Sequence, residues 1–309
     1  MFNRREFLAA TSAGVGLASV IGCAPAVDAR TRIGVTTVGL RERFQSTASS
    51  NGSADLNLLS WPSFVRTTFD VSWVEAWSRH FDELSISYCE QLQRAARDAG
   101  TQFINIQLDP FDADLVDMAA VDESRRLADI EEVKRWMDRS LACGAPFLRA
   151  NTDAPVAGRP FDRDRIADSF RRLAEYGETI GVTILVENHG GYSRDIANVE
   201  AVVRAVDHSH CRALADWGNS PGETTMDRVA SLSALAPLTA LVSAKGKTFN
   251  ESDWTHSDYD VAAMTRAFER NGYDGVYSIE LYEVPAPSDP VAAVRSMIDA
   301  VCLGIDDAG

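Results

Sequence analysis

The sequence predicts an α/β fold, a single closed (β/α)8 barrel preceded by an N-terminal export signal, on three observations. From Thr31 onward, eight short apolar runs alternate with longer amphipathic segments, the pattern of repeated βα units that build a parallel sheet. No shift in composition marks a linker, and eight such units within residues 31–305 suit one closed barrel. No Gly-x-Gly-x-x-Gly opens a helix, which counts against the runner-up, a doubly wound open sheet.

Taken in order, strands are expected over 32–37, 72–76, 102–108, 145–150, 182–188, 212–216, 239–245 and 275–281. Helices are expected over 87–99, 123–142, 163–180, 199–207, 226–234, 259–270 and 290–302. Gly100, Gly144, Gly181 and Gly272 stand where four of these helices should stop, because glycine takes a left-handed conformation without steric cost. The segment 40–57, rich in Ser, Asn and Gly, follows the first strand; it is read either as a cover over the barrel mouth or as a solvated linker.

Residues 1–30 read as an address and a short tether. Arg4-Arg5-Glu6-Phe7-Leu8 precedes a small-residue apolar stretch and resembles the twin-arginine export motif. Val20-Ile21-Gly22-Cys23 resembles a lipobox, so Cys23 is the expected lipidation site; the alternative is ordinary cleavage after Ala26 or Ala29. The expected location is the periplasm, reached by the twin-arginine route, with the lipid anchor as the sole membrane attachment.

Composition excludes other classes. The chain of 309 residues carries 30 Lys+Arg against 45 Asp+Glu, a formal net charge of −15, so it offers no basic footprint for nucleic acid. With 45% hydrophobic and 24% charged residues, it has the means to bury a core and is not expected to be disordered. Cys89, Cys143, Cys211 and Cys302 match no zinc spacing and read as buried free thiols. A homo-oligomer is left open.

Function in such a barrel resides at the C-terminal ends of the strands. There the chain places Glu187-Asn188-His189, Asp216-Trp217-Gly218-Asn219, Ser243-Ala244-Lys245 and Ile279-Glu280. Acids emerging from three apolar strands need a compensating positive charge, since a buried unpaired carboxylate costs several kcal/mol. A divalent cation (Mn, Mg, Co or Zn) held by Glu187, Asp216 and Glu280 would supply it, with His189 or Ser243 as further ligands. His189 is equally open to proton transfer, substrate binding or a structural role. Lys245 either pairs with a carboxylate or holds a substrate oxygen. On the earlier strands, Glu75, Trp77, His80, Gln107, Arg149 and Asn151 are candidates for the substrate face, joined by Asn188 and Asn219. Trp77 is suited to stack on a sugar's C–H face, and Arg149 either holds an anion or neutralises nearby acids.

The ordered set Glu187-Asn188-His189-Gly190-Gly191, Asp216-Trp217-Gly218-Asn219, Ser243-Ala244-Lys245 and Ile279-Glu280 resembles the xylose isomerase-like TIM-barrel superfamily, over roughly residues 32–302. The resemblance implies a metal bound by Glu187, Asp216 and Glu280. It also implies a sugar isomerase or epimerase in which Glu187 and Glu280 move a proton through a metal-held enediolate. The epimerase branch usually carries a metal-binding His on strand seven, where this chain has Ser243. Two alternatives remain open: a lyase acting on 3-keto-glycosides, and a non-catalytic sugar-binding lipoprotein.

Overall fold

The computed structural model describes residues 28–47, 54–109, 116–152, 158–220, 222, 224–282 and 287–308. The signal and the lipobox Cys23 lie outside the described residues. Eight parallel strands close into a barrel in the order of the sequence: β1 (Ile33–Thr36), β2 (Trp73–Trp77), β3 (Gln102–Leu108), β4 (Phe147–Ala150), β5 (Thr183–Glu187), β6 (Cys211–Asp216), β7 (Thr239–Gly246) and β8 (Val276–Leu281). Closure is made by β1 on β8, with Gly34 beside Ser278 and Val35 beside Ile279.

The helices are α1 (Trp61–Phe69), α2 (Ile86–Asp98), α3 (Glu123–Cys143), α4 (Arg163–Ile180), α5 (Ile196–Val206), α6 (Thr225–Leu232), α7 (Val261–Arg270) and α8 (Pro290–Asp306). Five begin on an aspartate whose side chain accepts a backbone N–H: Asp122, Asp162, Asp195, Asp260 and Asp289. Part of the chain's acidity is therefore spent at helix N-termini, where negative charge is favoured. All four glycines expected at helix ends have positive φ.

The sequence reading missed α1. It is nine residues long, carries Pro62 in its first turn and two threonines near its end, and so has weak intrinsic helix preference. Burial of Trp61, Val65 and Phe69 stabilises it instead. Part of the segment 40–57 does lie at the mouth: a 3-10 helix (Thr37–Arg43) follows β1, and the Arg41 guanidinium stands 5.0 Å from the centre of the Tyr282 ring. Among the described residues no helix is long and apolar enough to cross a membrane. The thiols of Cys89, Cys143, Cys211 and Cys302 are free, the first three buried and Cys302 half-buried.

Side chains alternate across each strand, so every second residue points into the barrel. At the N-terminal end this interior is plugged by Ile104, Leu185, Leu214 and Leu241, with Trp73, Phe147 and Val276 against them. Two residues further along the same strands the chemistry reverses. Phe147 gives way to Arg149, Leu185 to Glu187, Leu214 to Asp216, and Val276 to Ser278 and then Glu280. An apolar floor thus supports a layer of charge.

Candidate active site

The charged layer is built from residues that neighbour one another in register. Lys245 on β7 lies opposite Glu280 on β8, and Asp216 on β6 lies opposite Ser243 on β7. Lys245 Nζ stands 2.8 Å from Glu280 Oε1 and 3.0 Å from Asp216 Oδ2. Glu280 Oε2 accepts hydrogen bonds from Gln107 Nε2 at 2.9 Å and Ser243 Oγ at 3.2 Å. Asp216 accepts from the Asn219 backbone N–H at 2.9 Å and from Asn219 Nδ2 at 2.8 Å. Arg149 forms the second cationic centre, its Nε 2.8 Å from Glu187 Oε2 and its Nη1 2.7 Å from Asp109 Oδ1. Asp109 also accepts from Trp77 Nε1 at 2.8 Å and Asn151 Nδ2 at 3.0 Å.

These pairings set the proton distribution. Burial would raise Glu280, but the Lys245 charge and hydrogen bond, with the Gln107 bond, outweigh it and hold Glu280 below its ordinary value. Burial acts on Asp216 as well, and there Glu187 and Glu280 add repulsion, which pushes Asp216 up to about 7. Glu187 is raised for the same first reason. The Glu187–Asp216 pair therefore keeps a proton that Glu280 does not. Burial, reinforced by the nearby Arg149 and Lys245 charges, lowers the pKa of His189, so its imidazole is neutral at physiological pH.

Above this layer opens a cavity of about 400 Å³ lined by Gln107, Asp109, Arg149, His189, Asn219, Lys245 and Glu280. Its rim adds Val38, Trp77, Arg79, Lys247 and Tyr282. The size and the few convergent polar groups are those of a small-molecule site. Glu187 and Asp216 are not among the lining residues: they stand behind the cavity wall, in contact with Arg149, Lys245 and Asn219.

Four of the expected substrate contacts are not in the lining; one of them, Asn151, donates to the lining Asp109. His80 stacks on Phe44 with ring centres 4.0 Å apart, bonds Thr47 through Nε2, and is driven to about 3 by burial and the neighbouring Arg79 charge. It is one residue off the inward alternation of 75, 77 and 79, so it points into the wall. Asn188 is likewise off the alternation of 185, 187 and 189. Its amide donates to the Asp216 carbonyl and accepts from the Asp216 N–H, both at 2.8 Å, tying β5 to β6. Glu75 is on the inward face but one layer too deep, bonded to Asn105 at 2.6 Å and to Ser278.

Two charged rim residues were missed. Arg79 continues the alternation of Glu75 and Trp77 by one step, and Lys247 continues that of Ser243 and Lys245; that period was the available signal. No carboxylate lies within 4 Å of the Lys247 ammonium among the described residues, and burial together with the Lys245 charge lowers its pKa.

Burial raises Glu75 to about 7, from 4.5 in the unfolded chain. Between these values the native state binds the extra proton, so Glu75 makes the protein lose stability as pH rises from about 4.5 to about 7. Glu75→Gln is expected to remove on the order of 3 kcal/mol of that decline, leaving the part due to Asp216. Chemical denaturation of both proteins at pH 5 and pH 8 reads the difference, and parallel pH profiles would contradict it.

The residues do not fit a resident divalent metal. The oxygens of Asp216 and Glu280 meet an ammonium, two amides, a hydroxyl and a backbone N–H, all donors, and Asp216 is also hydrogen-bonded to Glu187. A metal site needs lone pairs converging on one centre. Among the described residues, no group of three or more His, Cys, Asp or Glu is arranged to hold a metal ion. A doubly charged ion about 4 Å from Lys245 Nζ would be repelled by about 8 kcal/mol at an effective dielectric constant of about 20. Where a cation held by Glu187, Asp216 and Glu280, with His189 or Ser243, was expected, Lys245 and Arg149 supply compensating charge.

Lys245 is held by design of the backbone. A Cβ on Gly218 would stand 2.7 Å from the Lys245 carbonyl oxygen and 2.9 Å from Lys245 Cβ and Cγ. Tyr259 Oη donates to the same carbonyl at 2.6 Å. Gly218→Ala is expected to cost about 1–3 kcal/mol of stability by displacing Lys245. A melt superimposed on wild type would contradict this account of Gly218.

The fold and site together define a TIM barrel with its chemistry at the C-terminal ends of the strands. Residues 67–300 match the model of the xylose isomerase-like TIM barrel, and the chain belongs to that family. A solved L-ribulose 3-epimerase is similar at 15% identity and a TM-score of 0.69, covering 90% of this chain and 95% of that one. A 3-keto-D-glucoside 4-epimerase from E. coli is similar at 14% identity and a TM-score of 0.63, covering 88% and 98%. A xylose isomerase-like protein from Mycobacterium smegmatis, solved in complex with magnesium, is similar at 16% identity and a TM-score of 0.65, covering 91% and 99%. No curated protein shows significant sequence similarity to the chain.

Proposed function

We propose that this protein is a carbohydrate isomerase or epimerase that removes a proton from the carbon next to a carbonyl. One observation carries the reading: an ionised Glu280, dressed by three donors, stands in a small-molecule cavity that the neutral imidazole of His189 also lines. Glu280 takes the proton and, once protonated, returns it to the neighbouring carbon in isomerisation; in epimerisation a solvent proton reaches the same carbon from the other face as Glu280 gives its own to solvent. This differs from the sequence reading, in which Glu187 was the partner of Glu280; here Glu187 is a positioning residue that holds Arg149 from behind the wall. Trp77 and Asn219 shape the cavity, Asn151 helps hold Asp109 in place, and Arg149 orients Asp109 and substrate oxygens.

The epimerases among the similar structures support a sugar substrate. The twin-arginine motif supports action in the periplasm on free sugars or glycosides. The test is incubation with a panel of ketoses, aldoses and 3-keto-glycosides, with products identified by NMR. A new epimer or isomer is the expected product. Release of a free aglycone would assign elimination instead, and binding without turnover would assign a sugar-binding protein.

A further inference from the structure

We propose that the Lys245 ammonium occupies the place of a divalent cation in this barrel, so that the site binds no catalytic metal and polarises its substrate with a side-chain charge. The reaction itself rests on the function proposed above; the occupancy of the cation position does not. Lys245 Nζ lies within 3.0 Å of carboxylate oxygens from two strands, Asp216 on β6 and Glu280 on β8. The third carboxylate, Glu187, is held by Arg149 Nε at 2.8 Å. The remaining lone pairs of Asp216 and Glu280 face Asn219, Gln107 and Ser243, all donating, apart from the hydrogen bond that Asp216 shares with Glu187. The lysine stem runs along the bare backbone of Gly218, a cradle that any Cβ would fill. An ammonium placed by so many contacts is a fixed feature of the site.

Its position assigns a role. When Glu280 Oε1 removes a proton from the carbon next to a carbonyl, the C–H electron pair becomes the new C=C bond. The carbonyl π pair moves onto oxygen, and nothing is oxidised or reduced. The oxygen then carries the negative charge, and Lys245 Nζ, at the cavity floor beside Glu280, is placed to hydrogen-bond it. As Nζ shifts toward the substrate oxygen, Glu280 loses a donor and becomes more basic at the moment it must accept the proton.

The test is Mn²⁺ binding to the full chain, followed by electron paramagnetic resonance and calorimetry, with metal content measured after purification without added metal. Wild type is expected to contain no stoichiometric metal and to leave Mn²⁺ free. Lys245→Ala and Lys245→Met, checked for folding by thermal melts, are expected to bind Mn²⁺ at least about 100-fold more tightly. Capture of one equivalent of Mn²⁺ by wild type would overturn the inference, as would folded variants that bind no better than wild type. If neither variant folds, the wild-type titration decides alone. Failure of the proposed reaction is a separate result, seen as no turnover of any sugar whatever the metal titration gives.

Discussion

Glu280→Gln is expected to lower turnover by on the order of 10²–10⁴-fold, the contribution of a positioned general base. The substitution keeps the shape but retains one accepting oxygen, which serves either Lys245 or Gln107 and Ser243, so part of the hydrogen-bond frame of the cavity floor survives and part is lost. What disappears is the ionised lining carboxylate beside Lys245; the other ionised one, Asp109, stays bound to Arg149. The remaining carboxylate partner of Lys245, Asp216, then ionises more readily because it has lost the repulsion of Glu280 and keeps the ammonium to itself. Stability should therefore change by no more than about 1–2 kcal/mol, read by denaturation. Turnover in the variant within a factor of a few of wild type would remove Glu280 from the chemistry.

Arg149→Met should have the largest effect on stability. The guanidinium is 3% exposed and lies between Asp109 and Glu187, so removing it leaves two enclosed carboxylates without their cation. Breaking a buried pair from one side costs about 3–5 kcal/mol, which lowers the melting temperature by on the order of 10 °C. The pH dependence should also change sign. In wild type, burial would raise Asp109, but the Arg149 charge and hydrogen bond hold it well below the usual carboxylate range. Its contribution is thus present above the unfolded value near 3.8 and is lost as pH falls toward the depressed native value. Without Arg149, burial dominates and the native value rises above the unfolded one. The variant then gains stability as pH drops toward 4 and loses it as pH climbs. A variant that weakens in acid as wild type does would show that Arg149 does not govern Asp109.

The barrel was legible because its strands are short apolar runs and its helices carry punctuation that physics requires, a glycine after the last turn. The site was legible to the extent that it follows the same alternation. Glu187, Asp216, Lys245 and Glu280 each sit an even number of residues beyond an apolar inward-facing position, and all reach the charged layer. His80 and Asn188 break that parity and point into the wall, while Arg79 and Lys247 obey it and line the rim. The sequence left the partners of Lys245 and Arg149 open, because who neutralises whom depends on strand register. Lys245 meets Glu280 since β7 and β8 set them side by side, a relation between residues 35 positions apart that no local pattern records. Depth was equally hidden. Glu75 and Glu187 face inward as expected, yet one lies a layer below the cavity and the other behind its wall.

The central claim is proton transfer at carbon, and the most direct measurement is deuterium uptake from D₂O into a sugar substrate, followed by NMR with wild type and Glu280→Gln side by side. The account predicts exchange of a single C–H next to the carbonyl by wild type in the presence of a metal chelator, and its loss in Glu280→Gln. Product formation with no deuterium incorporated, or exchange that survives the loss of Glu280, would contradict it.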